Sequence, residues 1–123
     1  MNFRTDRQRV EGLGSAKTGT DHHWKMTLTS VGLAILVPLF IFTFGATLGS
    51  DYETALAVYS RPFPALVAIL TLTVGWMHFK GGVQILIEDY THGGTRTALI
   101  IATTCLSYAA AAAGIFAIVS IAL

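Results

Sequence analysis

The chain has 123 residues, 53% of them hydrophobic and 12% charged, where an ordinary soluble domain carries about 25% charged residues. A net charge of +1 gives no basis for whole-molecule attraction to nucleic acid, and a single cysteine, Cys105, excludes an internal disulfide and any multi-cysteine metal site. So low a charge load in so short a chain points to lipid, and the fold class expected is an all-α membrane protein.

Residues 1–25 are polar and hold five of the eight basic residues, Arg4, Arg7, Arg9, Lys17 and Lys25. With Gly12, Gly14, Ser15 and Gly19 among them, they read as an irregular arm. Within it, GLGSAKTGT is only faintly like a phosphate loop. Ala16 stands where the glycine before the lysine is needed, and no strand precedes it.

Residues 26–50, MTLTSVGLAILVPLFIFTFGATLGS, carry no charge. The segment starts too late and runs too long for a signal-peptide core, so it reads as a retained helix. Residues 51–62 are mixed, and Tyr52, Leu56 and Tyr59 recur at helical spacing, which suggests a short interfacial helix. Residues 63–88 are apolar apart from His78, Lys80, Gln84 and the closing Glu88. EDYTHGGTR, residues 88–96, reads as a polar turn, and 97–122 are again free of charge. A bilayer core of about 30 Å needs roughly 20 apolar residues in a helix, and each of the three segments meets that. In lipid the backbone must satisfy its own hydrogen bonds, so helix is the expected state of all three. The chain thus divides into an arm, 1–25, and a three-helix transmembrane anchor, 26–123, with spans at about 26–50, 63–88 and 97–122.

Three crossings put the arm and the 88–96 turn on one side and residues 51–62 on the other. The first side carries Arg4, Arg7, Arg9, Lys17, Lys25 and Arg96; the second carries only Arg61. The positive-inside rule then predicts a cytoplasmic N-terminus and a periplasmic C-terminus. Small residues suggest close helix approach: Gly45 and Gly49 near the end of the first span, and Ala109 to Ala113 followed by Gly114 in the third. Three helices bury little surface, so a partner in the membrane is expected as well. Cys105, in an apolar span with no charged neighbours in sequence, reads as a small packing residue.

The second span ends in GWMHFKGGVQILIEDY, residues 75–90. A histidine inside a membrane span is costly and faces a protein interior or a functional site. At about 100° per residue, Gly75 and Gly82 share the face of His78, and Ile85 and Asp89 continue it. A histidine flanked above and below by glycine offers a nitrogen with room for a flat, bulky ligand such as haem. Asp89 lies about 16 Å of rise further on, at the membrane boundary, with Tyr90 beside it. Spacing alone leaves plainer readings open and more frequent: a histidine hydrogen-bonding a neighbouring helix, and Asp89-Tyr90 as an interfacial anchor.

At these residues the chain resembles the hydrophobic membrane anchor, cytochrome b type, of succinate dehydrogenase, respiratory complex II. That family's second helix carries His, then Gly four residues on, then Asp-Tyr at eleven and twelve; here these are His78, Gly82, Asp89 and Tyr90. The arm, GLGSAKTGTDHHW, is similar to that of bacterial members, with Trp24 leading into the first helix. Length and three-helix layout agree, so the resemblance covers nearly the whole chain.

The resemblance implies a membrane anchor of succinate:ubiquinone oxidoreductase that is not catalytic on its own. It implies pairing with a second three-helix membrane anchor around one haem b, with His78 as the match for this chain's axial iron ligand and Gly75 and Gly82 beside the ring. The pair would hold an iron–sulfur protein and a flavoprotein, so that flavin and iron–sulfur clusters carry electrons from succinate to ubiquinone. Tyr90 matches a tyrosine that hydrogen-bonds a quinone carbonyl, and Asp89 its acidic neighbour. The location implied is a bacterial inner membrane rather than a mitochondrial one. The sequence departs from the family at Thr27, where an arginine often enters the first helix; Lys25 or Lys80 is the substitute near the haem propionates. Lys80 also reads as a lysine snorkelling to lipid phosphate. His22 and His23, near the membrane surface, are expected to touch the iron–sulfur protein rather than to ligate. Two other functions fit the same spans: a haem-free anchor of a fumarate-reductase-like complex, with His78 only hydrogen-bonding, and a small structural or assembly protein.

Overall fold

A computed structural model of the chain describes residues 3–12 and 19–123; Lys17 and most of the GLGSAKTGT stretch lie outside the described residues. The described residues form five helices: α1 Asp6–Gly12, α2 Asp21–Gly45, α3 Tyr52–Tyr59, α4 Pro62–Tyr90 and α5 Gly93–Ala122. Three of them, α2, α4 and α5, are long and apolar enough to cross a membrane. Many of their serines and threonines satisfy their hydroxyls within the helix. Ser30, Thr43, Thr73, Ser107 and Ser120 each donate to a carbonyl one turn back in the same helix.

The arm is less irregular than its composition suggests. Thr5 Oγ1 accepts from the Gln8 amide at 3.2 Å, and Arg7 pairs with Glu11 at 2.9 Å across one turn, so local side-chain bonds support α1. The first membrane helix starts at Asp21, five residues before the apolar segment, because the acidic side chain in its first turn suits the positive helix end. His22, His23 and Lys25 are therefore helical residues rather than part of a loose arm.

Each connection has its own device. After α2, Thr47 donates to the Phe44 carbonyl at 2.7 Å, and Gly49 takes a positive φ of 78°, open to glycine without strain. Gly49 thus lies outside the helix, and a Cβ on either Gly45 or Gly49 would meet nothing within 4 Å. The expected small-residue packing motif there is a helix end and a turn. Asp51 caps α3 by accepting from the Thr54 amide at 3.1 Å, and the short helix expected over 51–62 is Tyr52–Tyr59. Pro62 opens α4, a position whose amide has no helical partner in any case.

The turn expected over 88–96 shrinks to Thr91 and His92. Gly93 takes φ 62° and reverses the chain, so helix runs through Tyr90 and resumes at once. The charges are accommodated by pairing. Gln84 donates to Glu88 at 2.9 Å, and Arg96, in the first turn of α5, lies 3.7 Å from the same carboxylate.

The long helices pack as a row. α4 sits in the middle, against α2 on one side and α5 on the other, and α2 and α5 do not touch. Close approach follows the small residues. A Cβ on Gly32 of α2 would lie 3.5 Å from Val74, and one on Gly114 of α5 would lie 3.0 Å from Leu72. At the far end, α3 touches both α4 and α5. A row cannot enclose a core. Among the described residues the buried apolar side chains are Tyr59, Ala65, Val67, Ala68 and Ile87, and α2 has none.

Candidate functional site

The polar residues of the membrane helices gather on the half of α4 nearest α5's start. His78 is half-buried, and its Nδ1 lies 2.9 Å from the Thr29 hydroxyl of α2. That contact is not legible in the sequence, since the two residues are 49 apart and a threonine in an apolar span carries no signal of its own. The stripe of α2 that faces α4 runs Met26, Thr29, Gly32, Leu33, at the three-and-four spacing of one helix face.

The glycines around His78 separate into two kinds. A Cβ on Gly75 would have one neighbour, Leu33 Cδ2 at 4.0 Å, and one on Gly82 would have one, Met26 Cε at 3.9 Å. Both distances are ordinary van der Waals contact, so these two glycines keep the face beside the imidazole free of side chains of their own without being wedged against α2. Gly81, which no sequence signal singles out, is different: its Cβ would sit 2.5 Å from Met26 Sδ, so glycine there lets α2 come close. Gly75 also floors a shallow groove bounded by Thr71, Leu72, Trp76 and Phe79, with Trp76 and Phe79 edge to face at 5.4 Å.

Between α2 and α4 lies a cleft lined by His22, Lys25, Met26, Thr29, Met77, Lys80, Gly81 and Gln84. Its chemistry is cationic. Lys80 Nζ donates to the Tyr108 hydroxyl of α5 at 3.1 Å and lies 5.1 Å from that ring's centre, a neutral partner that leaves the charge uncompensated. His22 Nε2 is buried with no hydrogen-bond partner among the described residues. A buried polar nitrogen without a partner marks a place where a ligand or water belongs.

Asp89 and Tyr90 close α4. Both are exposed, Tyr90 at 81%, and neither side chain has a hydrogen-bond partner among the described residues. The predicted residues are thus all on one helix, but they do not form one pocket. His78, Gly75 and Gly82 surround one position inside the span, and Asp89 and Tyr90 stand about three turns away at its end.

The profile of the succinate dehydrogenase/fumarate reductase transmembrane subunit family matches residues 1–120. The chain belongs to that family. The succinate dehydrogenase hydrophobic membrane anchor subunit of Paracoccus denitrificans is 45% identical over 96% of this chain and 92% of its own length. That of Rickettsia bellii is 29% identical over 86% of each chain. The succinate dehydrogenase membrane anchor subunit of Reclinomonas americana is 26% identical over 63% of this chain and 67% of its own. No solved structure matches the chain. The expectation drawn from His78, Gly82, Asp89 and Tyr90 therefore holds at the level of the complex: this is a membrane anchor subunit of succinate dehydrogenase, part of an oxidoreductase.

Proposed function

We propose that this anchor holds a haem b jointly with a second membrane anchor, with His78 as an axial ligand of its iron, and lends Tyr90 and Asp89 to a ubiquinone site. The observation that carries the reading is the hydrogen bond of His78 to Thr29: it occupies one ring nitrogen and leaves the other available. The surroundings support it. Gly75 and Gly82 put no side chain of their own beside the imidazole. The cleft next to it offers Lys25 and the unpartnered nitrogen of His22 to the two carboxylates that a haem carries, with Lys80 able to join them if it leaves the Tyr108 hydroxyl. When bound, haem supplies a one-electron redox centre whose potential the axial ligands tune.

Tyr90 is suited to a quinone that approaches from outside the chain. Its exposed hydroxyl is unengaged among the described residues, and a tyrosine at the end of a span can set its ring against an apolar ligand while its hydroxyl serves as the polar handle. A carbonyl oxygen that gains electron density on reduction needs a donor aimed at it. Asp89 beside it biases the local charge and offers a path for protons at the boundary, where water is at hand. The second anchor, the iron–sulfur protein and the flavoprotein supply the rest of the electron path. The setting is a bacterial inner membrane, with the N-terminus and the α4–α5 turn in the cytoplasm.

The test is a visible spectrum of the complex purified through a tag on this chain, as wild type and as His78→Ala. A b-type spectrum in the wild type that is lost or shifted in the variant is the expected result. A wild-type complex that reduces quinone without any b-type absorption would favour the haem-free anchor, in which His78 only bonds Thr29.

A further inference from the structure

Building on the haem reading above, we infer that Thr29 is a positioning residue: it selects the Nδ1–H tautomer of His78, so that Nε2 carries the free lone pair and is the ligating atom. Three polar atoms surround the Thr29 hydroxyl oxygen. The carbonyl of Lys25 lies at 2.8 Å, that of Met26 at 3.0 Å, and Nδ1 of His78 at 2.9 Å. A hydroxyl has one proton to give and two lone pairs to receive with, and the carbonyls can only accept.

Two arrangements are possible. If the hydroxyl proton is shared between the two carbonyls in a three-centre bond, Oγ1 accepts from an Nδ1–H and every close pair is a donor facing an acceptor. If the proton points to Nδ1, Oγ1 faces two carbonyl oxygens at 2.8 and 3.0 Å with no proton between them. Away from water that lone-pair repulsion is not screened, and two polar contacts become unfavourable at once. The first arrangement is the stable one. A neutral imidazole carries a single N–H, so a proton on Nδ1 leaves Nε2 bare.

The threonine is itself held in place. The back-bond to its own helix selects one side-chain rotamer, and the close approaches of Met26 to Gly81 and of Gly32 to Val74, one turn to either side, set the register of α2 on α4. A metal-ligating histidine donates its other N–H to an acceptor, which orients the ring and makes the ligating nitrogen more electron-rich. Thr29 is that acceptor, supplied by a different helix.

The test uses the complex purified through this chain, with Thr29→Val, which keeps the shape and removes the hydroxyl, and Thr29→Ser, which restores it. Expected for Thr29→Val is a loss of haem affinity of about tenfold or more. An upward shift of the haem midpoint potential should accompany it, because the ring donates less to the oxidised form. Thr29→Ser should return both to wild type. Independently, 15N-histidine spectra of the full chain in bilayers, assigned by the signal lost in His78→Ala, should show a protonated Nδ1 and a bare Nε2. A protonated Nε2 there overturns the inference, whether or not the valine variant assembles. So does an assembled Thr29→Val complex with wild-type haem content and potential. A wild-type complex without haem overturns the haem reading instead, and the nitrogen spectrum still decides the tautomer.

Discussion

Gly81 and Gly82 adjoin on α4 and meet different surroundings. Gly81 lies against the sulfur of Met26, so it is a packing glycine for α2. Gly82 has one neighbour, the flexible tip of Met26 at an ordinary contact distance of 3.9 Å, so a side chain there meets no backbone and no rigid group of α2 at its first carbon. Gly82→Leu should therefore leave the complex assembled and remove or shift its b-type absorption, checked by visible spectra at equal subunit stoichiometry. Wild-type absorption in that variant would place any haem elsewhere. At the membrane boundary, Tyr90→Phe keeps the ring and removes only the donor. One hydrogen bond is worth roughly 0.5–1.5 kcal/mol net and more in a dry site. Succinate-dependent ubiquinone reduction should fall at least about tenfold, each 1.36 kcal/mol of barrier being one decade. Electron transfer to a soluble dye taken from the flavin or clusters should persist. An unchanged quinone rate would reduce Tyr90 to an interfacial anchor.

Among the elements, the α4–α5 pair shows how small residues and turns act together. The chain reverses in two residues at Gly93, and further along α5 a Cβ on Gly114 would lie 3.0 Å from the Cδ1 of Leu72. A leucine tip can yield a few tenths of an ångström to one methyl, but not to a branched side chain. Gly114→Val is expected to cost about 1–3 kcal/mol through overpacking. The readout is a lower melting temperature of the detergent-solubilised complex. Gly94→Ala, where the added carbon would meet nothing within 4 Å, should leave it unchanged and serves as the control. Much of this is legible in sequence: the alanine run before Gly114 marks a close approach. The turn is not. EDYTHGGTR looks like a loop because its residues are polar, yet the pairing of Gln84, Glu88 and Arg96 lets most of them stay in or enter helix.

For the whole molecule, the row of α2, α4 and α5 leaves a large surface for its size. It exposes 9091 Å², where a soluble monomer of this mass exposes roughly 6,400 Å². Much of the excess is apolar, with Leu28, Ile35, Phe42, Leu86, Leu106 and Phe116 all more than half exposed. Lipid and neighbouring membrane helices are what such a surface suits, in keeping with an anchor that works inside a complex. The arrangement also puts the C-terminus beside Ser60 and Pro62, at the end opposite the Thr91-His92 turn. The uneven basic residues then predict a sidedness that can be measured. In a Cys105→Ser background, Glu53→Cys should react with an impermeant thiol reagent on intact cells and His92→Cys should not. The reverse pattern would invert the topology.

By itself the sequence determined the all-helical class, the three spans, a short helix within 51–62 and the family. Each of these follows from local signals: runs of about 20 apolar residues, a helical spacing, and a histidine, glycine, aspartate and tyrosine at set distances along one helix. It also marked His78 and the open glycines beside it, because a polar residue in an apolar run stands out. What only the tertiary structure decided is which faces meet. A membrane helix is apolar all round, so no hydrophobic stripe distinguishes the face that packs on a neighbour from the face that lies in lipid. The row with α4 at its centre, the nestling of Gly81 against Met26, the turn of Lys80 toward Tyr108 and the bond from His78 to Thr29 all depend on that choice. Each joins residues far apart in the chain whose types, read singly, would have fitted lipid or a partner equally well.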